Sequence, residues 1–153
     1  RRPTEGWQSP AMPLSPAEAY DQIVSATRPP LDDGCSECLR VSTDRIVWED
    51  DHWVLTPADH PDSVAAALLL QTREHSTVGQ IDDELASQFG RISNRLVRII
   101  ESTPQAAYVD VSRYGAHRGH FHVWFFAPSA GDGPADLHLI ATKLANWGGD
   151  ARA

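Results

Sequence analysis

The sequence predicts an α+β fold, with an antiparallel sheet of about five strands, one long helix between strands 3 and 4, and a C-terminal helix. Three segments carry this prediction. Residues 64–72, VAAALLLQT, form a nearly continuous apolar run, which is typical of a strand buried on both faces. Residues 81–101 repeat apolar side chains every three to four positions, which predicts an amphipathic helix. Residues 120–126, HFHVWFF, alternate as a strand with one face on the core does.

The chain of 153 residues is expected to form one domain preceded by a tail. Residues 1–14 contain three prolines and no hydrophobic period, which predicts a flexible N-terminal tail before a single domain over residues 15–150. This domain is expected to begin with a helix at residues 15–27, because Ser15 is a favourable N-cap and Pro16 fits the first helical position.

The remaining elements follow from short apolar patterns that turn residues separate. An acidic turn divides two predicted strands at residues 45–51 and 52–58. After the long helix, alternation predicts a strand at residues 106–114, and the apolar period at residues 135–147 predicts the closing helix.

The charge and hydropathy pattern of the chain argues against two classes of partner. A net charge of −8 does not fit a general nucleic-acid-binding surface, which needs a basic face. No apolar run approaches the roughly 20 residues that a membrane span needs, and no positively charged leader precedes an apolar segment. We therefore expect no nucleic-acid partner, no membrane attachment and a cytoplasmic location.

Two cysteines and two histidines have a pattern that suits a metal site. Cys35 and Cys38 lie three positions apart in CSEC, a spacing typical of a metal-binding or redox-active pair, although a disulfide across the short loop is an alternative. His75, just past the buried strand, and His120 would complete a tetrahedral zinc site of two sulfurs and two nitrogens. In the other interpretation, His75 is a capping residue and both thiols are free.

The strand predicted at residues 120–126 carries two histidines and a tryptophan on one face. His120, His122 and Trp124 share this face because side chains alternate along a strand, and the apolar residues Phe121, Val123 and Phe125 share the other. A neutral imidazole can act as a nucleophile when a hydrogen bond holds one of its nitrogens. Histidines on strands are also common as purely structural residues, so the spacing alone leaves both roles open.

In their order along the chain, these motifs resemble the histidine-triad (HIT) superfamily. The resemblance covers residues 33–128 and rests on C-x-x-C, the WEDD strand, the buried strand ending in TREH, the long helix and HFHVW. More narrowly, the chain resembles the zinc-binding HIT-like branch to which the galactose-1-phosphate uridylyltransferases are related. This resemblance implies a structural Zn²⁺ held by the ligands Cys35, Cys38, His75 and His120.

The resemblance also implies a reaction and an assembly. In the family, the middle histidine of the triad attacks the α-phosphorus of a nucleotide and becomes covalently nucleotidylated, and that position here is His122. We therefore expect a hydrolase or nucleotidyltransferase that acts on a nucleotide or nucleotide-like small molecule. Many HIT hydrolases join two protomers edge to edge in one continuous sheet, which implies a homodimer.

Trp124 stands where the family has its third histidine. An indole donates one N–H, accepts no hydrogen bond and does not titrate near neutral pH, so Trp124 cannot be a general acid or base. In the uridylyltransferases this position is a glutamine, which does not titrate either. The substitution therefore argues against simple hydrolysis of a phosphoramidate while leaving nucleotidyl transfer open, and it also allows that Trp124 plugs a disused site.

Other departures from the family lie around the expected phosphate site. The turn before the triad is GAHRG, in which His117 takes the place of a small hydroxyl residue and Arg118 adds a positive charge. Asp110 is the nearest counterpart of the asparagine that holds the family's site. Arg113 and Arg118 could neutralise an anion through bidentate hydrogen bonds. Together with Trp124, these are the expected substrate-binding residues.

Two alternative functions therefore stay open. One is a catalytically degenerate module that binds a nucleotide or another metabolite on the same fold. The other is a different reaction in which a zinc ion with an open coordination position acts as a Lewis acid, which four protein ligands would disfavour.

Overall fold

The protein is described by a computed structural model over residues 35–43, 45–112 and 119–147. The tail predicted at residues 1–14 and the helix predicted at residues 15–27 lie outside the described residues. The described elements, in chain order, are α1 (Ser36–Thr43), β1 (Trp48–Glu49), β2 (Trp53–Pro57), β3 (Val64–Thr72), α2 (Asp83–Glu101), β4 (Asp110–Ser112), β5 (His122–Pro128) and α3 (Leu137–Ala145).

The strands form one five-stranded sheet in the order β1-β2-β3-β5-β4, and every neighbouring pair is antiparallel. The prediction of an α+β fold with a long helix between strands 3 and 4 and a C-terminal helix is confirmed. All nine residues of β3 are buried, as the apolar run predicts, because β2 and β5 pair with its two edges and other elements cover its faces.

The two edge strands are shorter than the sequence predicts. The strand predicted at residues 45–51 contains only Trp48 and Glu49. It ends at Glu49 because the Asp50 carboxylate accepts hydrogen bonds from the backbone N–H groups of His52 and Trp53 and so starts the turn early. β4 covers three residues of the strand predicted at 106–114, whose last two residues lie outside the described part.

Both longer helices lie on one face of the sheet. The Asp82 side chain caps α2 by accepting a hydrogen bond from the Leu85 N–H at 2.8 Å, and Asp136 caps α3 in the same way. The main core lies between these helices and the sheet. It includes Ile92 and Leu96 of α2, Ile140 of α3, and Phe121, Val123 and Phe125. Among the described residues, no helix has both the length and the apolar character needed to cross a membrane.

The opposite face of the sheet carries a smaller cluster of buried side chains, which we call the site face. Its apolar members are Ala58, Val64, Ala67, Leu69, Trp124 and Phe126. The alternation predicted for the last strand is confirmed, because Trp124 lies on this face whereas Phe121, Val123 and Phe125 face the main core. α1 lies against the site face.

Two local predictions need correction. The cysteine pair was expected in a loop, but Cys35 precedes α1 directly and Cys38 lies within it, because the Cys35 carbonyl accepts the first helical hydrogen bond from the Leu39 N–H. His120 was expected within the last strand, but β5 begins at His122. Residues 119–121 instead form a connection that begins with the left-handed Gly119, where φ is 79°.

Candidate metal centre and histidine face

The ligand atoms of Cys35, Cys38, His75 and His120 all lie within 4.8 Å of one another, so these four residues could hold a metal ion. Cys38 Sγ lies 3.2 Å from His120 Nδ1 and 3.3 Å from His75 Nδ1, and Cys35 Sγ lies 3.5 Å from His120 Nδ1. The edges of a tetrahedron around zinc, worked from its usual bonds to sulfur and nitrogen, are about 3.3–3.8 Å. The donor set therefore fits a tetrahedral metal site in both its atoms and its spacing.

These ligands come from three places in the chain. Cys35 and Cys38 are three residues apart at the start of α1, which brings both sulfurs to the same side of the helix. His75 follows the end of β3 and His120 precedes β5, and the pairing of these two strands brings the imidazole centroids to 5.2 Å. A metal bound here would tie α1 to the two central strands.

His120 is held in the tautomer that a metal ligand needs. Its Nε2–H donates to the Thr72 carbonyl at 2.8 Å, because a carbonyl oxygen can only accept, and Nδ1 therefore carries the lone pair that faces the cysteines. Burial lowers the pKa of the His120 imidazole, although the Thr72 hydrogen bond opposes this shift. The neutral form that binds metals is therefore favoured.

The two cysteine thiols are not joined by a disulfide in the structure. Burial raises the pKa of the Cys38 thiol to about 11, with further contributions from the hydrogen bond with Cys35 and from the charges of Cys35 and Glu37. In the absence of a metal Cys38 is thus a neutral thiol at pH 7. Metal binding must displace its proton, since the thiolate is the ligand.

His122 is oriented by the backbone beside it. Its Nδ1–H donates to the His120 carbonyl at 2.9 Å, which puts the lone pair of the neutral ring on Nε2. The side chain is only 2% exposed. In the sheet His122 pairs with Gln71 of β3, and the Gln71 Nε2 group donates to the Glu37 carbonyl in α1. α1 is therefore fastened to the site face directly beside His122.

Trp124 is covered by a cation from α1. The Arg40 guanidinium carbon lies 5.8 Å from the centroid of the indole ring, and both side chains are buried. This contact could not be predicted from the sequence, because Arg40 and Trp124 are far apart in the chain. Gln71 was not predicted as a site residue either, although one signal exists, since it is a polar residue within the apolar run of β3.

The expected substrate-binding residues are only partly described. Arg113, His117 and Arg118 lie outside the described residues. Asp110 pairs with Phe126, four residues along β5 from His122, so the structure does not bring the Asp110 carboxylate beside His122. Ser112, which pairs with Trp124, lies nearer to the histidines on β4.

Solved structures with the same fold are histidine-triad proteins. A hypothetical histidine triad nucleotide-binding protein of Sulfolobus tokodaii matches with a TM-score of 0.56 and 16% identity, over 73% of this chain and 93% of that one. A zinc-bound histidine triad family protein of Mycobacterium smegmatis matches with a TM-score of 0.55 and 18% identity, over 75% and 96%. A HIT family protein of Bacillus anthracis matches with a TM-score of 0.50 and 19% identity, over 65% and 76%.

No protein-family model matches the sequence, and no curated protein sequence matches it either. These three structures are below 20% identity, so they speak for the architecture of the chain. The first two cover about three quarters of this chain and more than nine tenths of their own length. The chain therefore has the histidine-triad fold.

Proposed function

We propose that this protein is a nucleotide-processing enzyme of the histidine-triad type, a hydrolase or nucleotidyltransferase that acts at the α-phosphate of its substrate. The observation that carries this proposal is the hydrogen bond from His122 Nδ1–H to the His120 carbonyl, since it gives Nε2 the lone pair of a nucleophile. The protein of the same fold from Sulfolobus tokodaii is named nucleotide-binding, which supports a nucleotide as the ligand class.

The proposed reaction has two displacements at phosphorus. His122 Nε2 forms a bond to the α-phosphorus, and the bond from phosphorus to the leaving group breaks with its electron pair going to that group. Water or an acceptor hydroxyl then forms a bond to the same phosphorus and gives its proton to solvent, while the bond from phosphorus to Nε2 breaks and its electron pair returns to the neutral imidazole. Trp124 cannot protonate the leaving group, so substrates whose leaving group departs as a stable anion are favoured.

The metal in this proposal is zinc, with a structural role. Two thiolates and two imidazoles are ligands that zinc prefers, and a protein of the same fold from Mycobacterium smegmatis is zinc-bound. The four residues would fill a tetrahedral shell, so the ion would stabilise the junction of α1 with the sheet. The chemistry is assigned to His122, and the competing role of zinc as a Lewis acid would require one ligand to leave.

The second candidate is a non-catalytic nucleotide- or metabolite-binding module. The burial of His122 and Trp124 favours it, because a substrate can reach the His122 side chain, which is only 2% exposed, only when a covering element moves. The two candidates differ in one property. An enzyme of the first kind forms a covalent adduct at His122, whereas a binding module forms none.

Intact-protein mass spectrometry tests both candidates together. The protein is mixed with nucleoside phosphoramidates, dinucleoside polyphosphates and nucleotide sugars, while chromatography follows the small-molecule products. His122→Asn should abolish any nucleotidyl mass increment and any product, whereas His138→Asn, which changes an exposed histidine on α3, should alter neither. Products that persist in His122→Asn would refute the covalent mechanism.

We further propose a homodimer located in the cytoplasm. β4 lies at the edge of the sheet, where a second copy can add its own strand, and the two free thiols suit a reducing compartment. Light scattering at micromolar concentration should give twice the mass of one chain. A monomeric mass would refute the dimer without affecting the proposed chemistry.

A further inference from the structure

The site face contains two buried polar atoms without a hydrogen bond. Thr56 Oγ1 and Gln71 Oε1 belong to side chains with no solvent exposure, and neither atom has a hydrogen-bond partner in the described part of the chain. Such atoms are rare in folded proteins, because each loses its hydration and gains nothing in return. Two of them on one face, one of which belongs to the residue beside His122, indicate a place where a ligand supplies the partners.

The sheet register relates these atoms to Trp124 and His122. Thr56 pairs with Leu69, which pairs with Trp124, so the three residues form one row across the site face. Gln71 lies in the neighbouring row, directly beside His122. Two strand spacings separate Thr56 from Trp124, about 10 Å, which is the scale of a nucleoside with its phosphate rather than of a single small ion.

Arg40 brings a positive charge over this row. α1 packs against β2, yet the Arg40 guanidinium reaches the indole of Trp124 on β5. The Arg40 guanidinium therefore lies over the Trp124 end of this row. The indole ring beneath it attracts the positive charge, and a guanidinium fork is the group best suited to a phosphate.

We propose that Arg40 binds the anionic phosphate of the ligand from above Trp124, and that the Thr56 hydroxyl donates a hydrogen bond to the same ligand. Gln71 Oε1 accepts a hydrogen bond from a ligand hydroxyl near His122. Arg40 thus provides a positive charge that balances the negative phosphate. The uncharged indole of Trp124, at the position of a third histidine, cannot provide this charge. This inference rests on the proposed function for the location of the site, and it adds the residues that select a phosphorylated ligand.

Calorimetric titration of the four nucleoside monophosphates and their nucleosides tests the proposal. We expect at least one monophosphate to bind the wild-type protein about 10- to 100-fold more tightly than its nucleoside, as charge-assisted hydrogen bonds do. Arg40→Met should remove this difference and leave nucleoside binding unchanged. The control Arg45→Met changes an exposed arginine and should bind like the wild type. The proposal would be overturned if Arg40→Met still bound the monophosphate more tightly than the nucleoside by the wild-type factor, or if the wild type bound no monophosphate.

Thr56→Val is a second test, because it should change ligand affinity and thermal stability in a way that the loss of a purely structural residue would not. The change keeps the volume and removes a buried hydroxyl without a partner, so the thermal midpoint of the ligand-free protein should rise or stay constant. Monophosphate affinity should nevertheless fall about 3- to 10-fold. Unchanged affinity in Thr56→Val would refute the role of this hydroxyl.

Two further measurements keep the test decisive if Arg40→Met does not fold. Arg40→Lys retains the charge and loses the planar fork, so it should bind monophosphates with intermediate affinity. In the wild-type protein, the Arg40 Nε–H resonance should shift on addition of the monophosphate but not of the nucleoside, and an unmoved resonance would contradict the inference. If monophosphate binding depended on Arg40 but no adduct formed at His122, the proposed enzymatic function would be refuted and the proposed role of Arg40 would stand.

Discussion

Replacing Gly119 tests whether the turn before His120 positions the metal site. The φ angle of Gly119 is 79°, in the left-handed region that destabilises a residue with a Cβ by about 1–2 kcal/mol. A Cβ here would also lie 3.2 Å from Thr77 Cγ2 and 3.6 Å from His75 Nε2. The first distance is shorter than ordinary contact, so Gly119→Ala must displace either the Thr77 side chain or the backbone that carries His120.

Gly133 provides a matched control for the destabilisation that comes from backbone strain alone. Its φ angle is 82°, and a Cβ there would meet no atom within 4 Å in the described part of the chain. Gly133→Ala should therefore lower the free energy of unfolding in urea by about 1–2 kcal/mol through strain alone. Gly119→Ala should lower it by roughly 1 kcal/mol more, because the tight contact adds to the strain.

The effects of the two substitutions on zinc affinity should differ more than their effects on stability. In competition with a chromogenic chelator, Gly119→Ala should weaken zinc binding and Gly133→Ala should not, since only Gly119 adjoins a proposed ligand. Thr77→Ser removes the opposing methyl group and should restore part of the excess loss in the Gly119→Ala background. Equal destabilisation by the two alanines, together with unchanged zinc affinity, would refute the reasoning.

The remaining predictions concern the metal, a helix cap and a buried hydrogen bond. Cys38→Ser should abolish tight zinc binding, so EDTA will lower the thermal midpoint of the zinc-loaded wild type but not that of the variant. Asp82→Ala should lower the free energy of unfolding by about 1 kcal/mol in urea titration, and Asp83→Ala, one residue further into α2, by less than about half of that. Trp53→Phe leaves the buried Gln88 Oε1 without its donor and should lower the free energy of unfolding by about 1–3 kcal/mol, whereas an unchanged urea midpoint would show that this hydrogen bond contributes nothing.

The parts of the fold that could be predicted are those in which burial sets the spacing of apolar residues along the sequence. β3 and β5 are buried on both faces and α2 buries one stripe, so the apolar pattern of the sequence follows the structural period. α1 could not be predicted in this way, because its eight residues are too few to show a helical repeat. β1 is short for a local reason, the Asp50 turn, which a pattern of apolar residues does not reveal.

The candidate site could be predicted where a local motif defines it. C-x-x-C and the H-x-H motif at the start of the last strand are visible in the sequence, and the structure brings Cys35, Cys38, His75 and His120 together. The position of Asp110 depends on the register of β4 with β5, which pairs it with Phe126 rather than with a residue beside the histidines. A register cannot be read from one strand alone.

α1 connects the metal cluster to the proposed ligand-binding face, and this link explains why a structural metal could control ligand affinity. Cys35 and Cys38 lie at the start of the helix and could hold a metal ion together with His75 and His120, while Arg40 lies two residues beyond Cys38 and covers Trp124. The Glu37 carbonyl between the two cysteines accepts the hydrogen bond of Gln71 beside His122. A metal bound here would hold in place the turn of α1 that positions Arg40, and loss of the metal would make that turn more mobile. Removing zinc should consequently weaken monophosphate binding more than nucleoside binding, although no zinc ligand touches the phosphate.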